Sequence, residues 1–94
     1  MFKKLEELVK KIRDRRDNPK EKSYTNKLLN DKKLSLVKIK EEIEELVEAI
    51  EKDTNKIHEA ADVVYHLMVY LETNNIKIED VLNELEKRKN DLRW

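Results

Sequence analysis

The 94-residue sequence contains no cysteine, no glycine and one proline, and its 21 basic side chains are matched by 21 acidic ones. The lack of cysteine excludes disulfides and thiolate metal sites, although it does not fix the redox compartment. The lack of glycine, with a surface heavy in Lys and Glu, fits a helical chain. A thermophile and an AT-rich genome would both produce that bias, so the source stays open. Zero net charge supplies no overall field to draw in nucleic acid or an acidic membrane. No run approaches the roughly 18 consecutive apolar residues of a membrane span, and the opening MFKKLEELVKKIRD lacks the continuous apolar core of a signal peptide. The expectation is a cytoplasmic protein that meets neither nucleic acid nor membrane.

The residues present are 38% hydrophobic and 45% charged. A chain of this length predicts one domain, residues 1–94, with a core thin enough for a monomer that a second chain is expected to complete it. Charge is balanced overall but not locally. Lys10, Lys11, Arg13, Arg15, Arg16, Lys20 and Lys22 outnumber Asp14, Asp17 and Glu21, whereas residues 41–51 carry six glutamates and no basic residue. One region suits an anion and the other a cation.

Apolar spacing predicts helices throughout. Phe2, Leu5, Leu8, Val9 and Ile12 mark one over 2–16, and Pro19 breaks the chain by disfavouring helix at Asn18. Ser23 can cap a short helix through Leu28 and Leu29. Leu36, Ile39, Ile43, Leu46, Val47 and Ile50 line a long helix over 34–52, and a turn at KDTN offers Asp53, Thr54 or Asn55 as the next cap. A helix over 55–73 is apolar almost all round between Ala60 and Leu71, which predicts that its neighbours enclose it. Ile78, Val81, Leu82 and Leu85 define a last helix. The predicted fold is all-α, an antiparallel helical hairpin bundle of four to five helices completed by dimerisation.

Within this pattern the acids are out of place. At about 100° per residue, Glu41, Glu44, Glu48 and Glu51 form a solvated stripe, while Glu42 and Glu45 sit at the flank of the apolar face. Glu59, Asp62 and His66 fall within about 60° of one another on the next helix. Carboxylates three residues apart repel unless something lies between them, and an oxygen-only ligand set suits a hard ion such as Mg²⁺, commonly completed by substrate phosphates. Two helices that each offer an acidic pair can therefore cradle magnesium and a nucleotide polyphosphate. For Asp62, between Ala60, Ala61, Val63 and Val64, a buried salt bridge to Lys56 or Arg13 is the other reading. For His66 it is a hydrogen-bonded core histidine.

The spacing Glu41-Glu42-Ile43-Glu44-Glu45, then 13 intervening residues, then Glu59-Ala60-Ala61-Asp62, resembles the metal-binding signature of the all-α MazG-like nucleoside triphosphate pyrophosphatases. NPKEKSYTNKLL and HEAADVVYHLMVYL narrow the likeness to the phosphoribosyl-ATP pyrophosphohydrolase family of histidine biosynthesis, over about Arg15 to Arg88. The resemblance implies Mg²⁺-dependent hydrolysis of phosphoribosyl-ATP to phosphoribosyl-AMP and pyrophosphate. It implies Glu42, Glu45, Glu59 and Asp62 as metal ligands, with Glu41, Glu42 and Glu45 as the catalytic carboxylates. Ser23, Thr25 and Lys27 would hold phosphate or ribose oxygens with Arg16 close by; Tyr24 would stack on a base or plug the bundle, and His66 would orient a neighbour or contact substrate. It further implies a homodimer that buries Val63, Val64, Leu67, Met68 and Leu71 partly against the partner, and a separate cyclohydrolase acting downstream. Lys22, Lys40 and the NDKK turn depart from the family pattern, where glycine is usual.

Two other functions compete. A housecleaning pyrophosphatase for non-canonical triphosphates would use the same carboxylates with a different base and sugar pocket. A non-catalytic helical interaction module would instead spend its acids on surface ion pairs.

Overall fold

The computed structural model describes residues 1–90 as five helices with no strand: α1 (Lys3–Asp17), α2 (Tyr24–Leu29), α3 (Lys32–Lys52), α4 (Lys56–Thr73) and α5 (Ile78–Arg88). The all-α expectation holds. The expected domain runs to residue 94, and residues 91–94 lie outside the described part. With no glycine to take left-handed backbone, positive φ falls on Asp53 (53°), Asn55 (42°) and Asn75 (57°), residue types that tolerate it best after glycine. Asp53 and Asn55 make the turn that folds α3 and α4 into an antiparallel hairpin, the most extensive helix–helix contact in the molecule. Asn55 occupies the cap position of α4 without a side-chain cap bond, whereas Asp31 caps α3 by accepting from the Leu34 amide at 3.0 Å.

The core lies at one end of that hairpin. Val9 and Ile12 of α1, Leu28 of α2, and Met68 and Val69 of α4 form its buried cluster. Full burial of Ile12, Leu28 and Val69 contributes about 1.5–3 kcal/mol per side chain. Along α3 the inward positions are Ser35, Ile39, Glu42, Leu46 and Ala49, and along α4 they are Glu59, Asp62, His66, Val69 and Thr73. Steps of three and four residues keep each set on one face, so the acids stand in the seam between the two helices.

Two expectations are corrected here. Ile43, Val47 and Ile50 are not the core face of α3: they are 47%, 50% and 57% exposed. The stripe at 35, 39, 42, 46 and 49 faces α4 instead. Nor is α4 enclosed, because Ile57, Val64 and Leu67 stay open to solvent, while Met68, expected at a partner interface, belongs to the protomer's own core. The chain exposes 7558 Å², where a compact monomer of its mass exposes about 5,800 Å². Its radius of gyration is 14.8 Å, against about 12 Å for a compact chain of this length.

Candidate active site

Three of the four expected metal ligands meet. Glu42, Glu45 and Glu59 each bring a carboxylate oxygen within 4.8 Å of the others, and Asp62 joins Glu59 and His58 in a second group of the same tightness. With His58, the four therefore form two triads sharing Glu59 rather than a single sphere. Glu42 Oε2 and Glu59 Oε2 are buried and meet no hydrogen-bond donor. Burial first, then the neighbouring Glu45, holds Glu42 above the ordinary carboxylate range. Burial first, then Glu45, does the same to Glu59. Buried, unpartnered oxygens that raise one another's proton affinity are what a hard divalent cation would relieve. The residues fit Mg²⁺.

The salt-bridge reading of Asp62 is overturned. Lys56 pairs with Asp53 at 2.5 Å, and Arg13 is taken by Glu72 and Glu79. Among the described residues, the basic group paired with the Asp62 carboxylate is His58, with Nε2 at 3.5 Å. Glu41 pairs with Lys38 at 3.2 Å, which leaves Glu42, and Glu45 from an exposed position, as the members of the expected catalytic three whose carboxylates join the cluster.

His66 is buried one turn beyond Asp62. Its Nδ1 lies 2.8 Å from the Asp62 carbonyl oxygen, an acceptor only, so Nδ1 carries the proton. In the neutral ring Nε2 then accepts from the Tyr24 hydroxyl at 3.0 Å. His66 is therefore a buried histidine with both ring nitrogens hydrogen-bonded, the arrangement described by the core-histidine reading. Tyr24, with burial the main cause and Glu42 and Glu41 among the lesser ones, has its hydroxyl pushed above the usual tyrosine range. That ring lines the cleft of the basic side and is close enough to Glu42 and Glu41 to feel their charge.

On the basic side, an open cleft of about 580 Å³ is lined by Lys20, Lys22, Ser23, Tyr24, Lys27 and Asn30, among others. Three lysines around one cleft suit a multiply charged anion. Ser23 caps α2 by accepting from the Asn26 amide at 3.3 Å, the bond its sequence position predicts, and it still faces the cleft. Thr25 does not line it: its Oγ1 is 2.5 Å from the Tyr65 hydroxyl of α4. Arg16 is absent too, its guanidinium held by Glu72 at 2.7 Å, about 15 Å along α4 from Asp62 at the helical rise of 1.5 Å per residue.

Sequence reasoning missed Glu72, Asn26 and Tyr65. Glu72, its side chain 5% exposed, takes Arg13 on one oxygen and Arg16 on the other. An acid ending the apolar run of α4, with arginines three apart on α1, was the available signal. Asn26 is buried, donates to the Arg15 carbonyl and accepts from the Lys20 amide, and so shapes the loop that carries the cleft lysines. No local pattern announces it.

Comparison with known proteins identifies the family. The family model for phosphoribosyl-ATP pyrophosphohydrolase matches residues 5–89. A phosphoribosyl-ATP pyrophosphatase of Clostridium novyi is 45% identical over 91 residues, 90% of this chain and 80% of that protein. One of Clostridium acetobutylicum is 47% identical over 90 residues, 89% of this chain and 79% of that protein. A histidine biosynthesis bifunctional protein of Caldanaerobacter subterraneus is 43% identical over 89% of this chain, which spans 42% of that longer protein. No solved structure matches. A family-model match over residues 5–89, with relatives 45% and 47% identical over about nine-tenths of the chain, means that this chain belongs to the phosphoribosyl-ATP pyrophosphohydrolase family.

Proposed function

We propose that the protein hydrolyses phosphoribosyl-ATP to phosphoribosyl-AMP and pyrophosphate, the second step of histidine biosynthesis. The observation that carries this is the pair of buried, donorless oxygens of Glu42 and Glu59, with Tyr24 both lining a cleft with three lysines and sensing the charge of Glu42. A polyphosphate laid across Tyr24 meets lysine at one end and the carboxylate cluster at the other. Mg²⁺ held by Glu42, Glu45 and Glu59, with Asp62 beside them, would polarise the phosphate oxygens and offset charge on the leaving pyrophosphate.

The remaining work falls to the chain's own groups. Lys20, Lys22 and Lys27 neutralise phosphate charge, and the Ser23 hydroxyl, which uses only an acceptor pair on the Asn26 amide, keeps its own proton to donate to an oxygen. Water attacks the α-phosphorus: a new P–O bond forms, the α–β bridging bond breaks, and pyrophosphate leaves. The proton released by water goes to a free carboxylate oxygen of Glu42 or Glu45, because Glu41 is engaged by Lys38. The working form is a cytoplasmic homodimer.

The interaction-module reading is disfavoured by the same cluster, since Glu42 and Glu59 make no surface ion pair among the described residues. The test is pyrophosphate release from phosphoribosyl-ATP with and without Mg²⁺, beside a panel of ordinary nucleoside triphosphates and Asp62→Asn. Metal-dependent release from phosphoribosyl-ATP alone, reduced in the variant, is the expected result. Equal release from the ordinary triphosphates would move the protein to housecleaning, and no release from any substrate would overturn the enzyme reading.

A further inference from the structure

A helix of six residues cannot hold itself in water, where about 12–15 are needed even with good helix formers. α2 has six and puts only Asn26 and Leu28 in the interior. Its position is therefore set from outside, and the groups that set it fix where the lysine cleft stands relative to the carboxylates. Two consecutive residues of α2 are gripped by two consecutive residues of α4: Tyr24 by His66 at 3.0 Å, and Thr25 by Tyr65 at 2.5 Å. The Tyr65 ring also stacks on Tyr24, with centroids 6.4 Å apart and 23° between planes, and meets His66 edge-on at 4.9 Å and 86°.

Tyr65, like Thr25 and His66 and unlike Tyr24, lines no part of the lysine cleft, and it joins no carboxylate group. Its hydroxyl is spent on Thr25. It sits one turn from Asp62 on the same helix, so whatever it holds is held at a fixed offset from the acids. We propose that Tyr65 is a positioning residue: its hydroxyl on Thr25 sets the span between the lysine cleft of α2 and the carboxylates of α3 and α4, and thereby substrate affinity. The proposal rests on the reading that one polyphosphate bridges the two sites. A bridge between fixed charges is sensitive to span, since a misplacement of about 1 Å can cost two orders of magnitude.

The experiment compares Tyr65→Phe, Thr25→Val, their double variant and Thr25→Ser by steady-state kinetics, with amide hydrogen exchange on each protein. One hydrogen bond contributes about 1 kcal/mol net, or about fivefold. Tyr65→Phe and Thr25→Val are each expected to raise KM for phosphoribosyl-ATP about fivefold with kcat within about twofold, and to speed exchange over residues 19–29 while α3 around Ile39 is unchanged. The double variant is expected to be no worse than either single one, and Thr25→Ser, which keeps the hydroxyl, to match the parent. An unchanged KM in Tyr65→Phe would overturn the proposal even if exchange quickens, because the hydroxyl would then be structural alone. Multiplied effects in the double variant would also overturn it, because Thr25 would then meet substrate itself. If the parent protein does not turn over phosphoribosyl-ATP, the functional reading fails separately. Calorimetric affinity for magnesium pyrophosphate then replaces KM, and an unweakened affinity in Tyr65→Phe overturns the proposal.

Discussion

Glu42 and Glu59, on facing helices, each bury a carboxylate oxygen that no donor meets, inside the same 4.8 Å group as Glu45. Among the described residues His66 eases this for Glu42 and His58 for Glu59, yet burial and the neighbouring carboxylates still push both groups toward their protonated forms. A bound divalent cation would relieve both at once.

Binding should therefore be visible without substrate. Mg²⁺ at about 100 times its dissociation constant should add about 2.7 kcal/mol of stability, read as a rise in Tm by calorimetry. Glu59→Gln should abolish most of that rise. Glu42→Gln should leave the metal-free protein at least as stable as the parent, since a neutral amide removes repulsion. Its kcat should fall about a hundredfold, the rate equivalent of part of the several kcal/mol that metal electrostatics supply. A metal-independent Tm, with Glu42→Gln less stable than the parent, would mean that the acids serve the fold.

The inward aim of Glu42 was legible in the sequence, because residues 39, 42, 46 and 49 share a helical face whatever surrounds them. The exposure of Ile43, Val47 and Ile50 was not. Periodicity marks an apolar face, but it does not say whether the chain's own core covers that face. Asp62 drew notice between alanines and valines, yet Ala61 and Val64 are themselves exposed, so the aspartate keeps part of its side chain in water and needs no basic partner. Arg16 was read with the cleft because it lies close to it in sequence. Its actual partner, Glu72, is 56 positions away, and contacts at that separation are fixed by how α1 crosses α4, which no local pattern records.

Arg13 joins three helices. Its guanidinium donates to both oxygens of Glu79 on α5 at 2.8 and 2.6 Å, and its Nε donates to Glu72 on α4 at 3.1 Å. The pair with Arg13 holds the Glu79 carboxyl down to about 2 from an ordinary 4.5. The folded state thus keeps Glu79 ionised at acidities where the unfolded chain has taken up a proton. Its contribution is complete above about pH 4.5 and is lost as pH falls toward about 2. Since α5 places no residue in the core, the loss should appear first as faster amide exchange over residues 78–88. Glu79→Gln should remove that acid-dependent step. Because Glu79 is more than half exposed, 1 M salt, with a screening length of about 3 Å, should shrink it. Acid loosening of α5 that is equal in Glu79→Gln and the parent would assign the step to another group.

Ile43, Val47 and Ile50 on α3 and Val64 and Leu67 on α4 are exposed apolar residues on the two arms of one hairpin. The chain's 7558 Å² of surface exceeds that of a compact monomer of its mass by about 1,800 Å², comparable to what one subunit of a large homodimer contributes to its interface. A second copy presents the same apolar surface, so a two-fold pairing would cover both at once. The protein is expected to sediment as a dimer at micromolar concentration, and Val47→Lys, which would bury a charge at that contact, is expected to yield a monomer of lower Tm. The metal titration then separates two kinds of site. If Glu42, Glu45 and Glu59 of one chain suffice, the monomeric variant keeps its Mg²⁺-dependent rise in Tm and loses only the contact. If a group from the partner completes the site, the rise disappears with the dimer, although Val47 is a ligand in neither case.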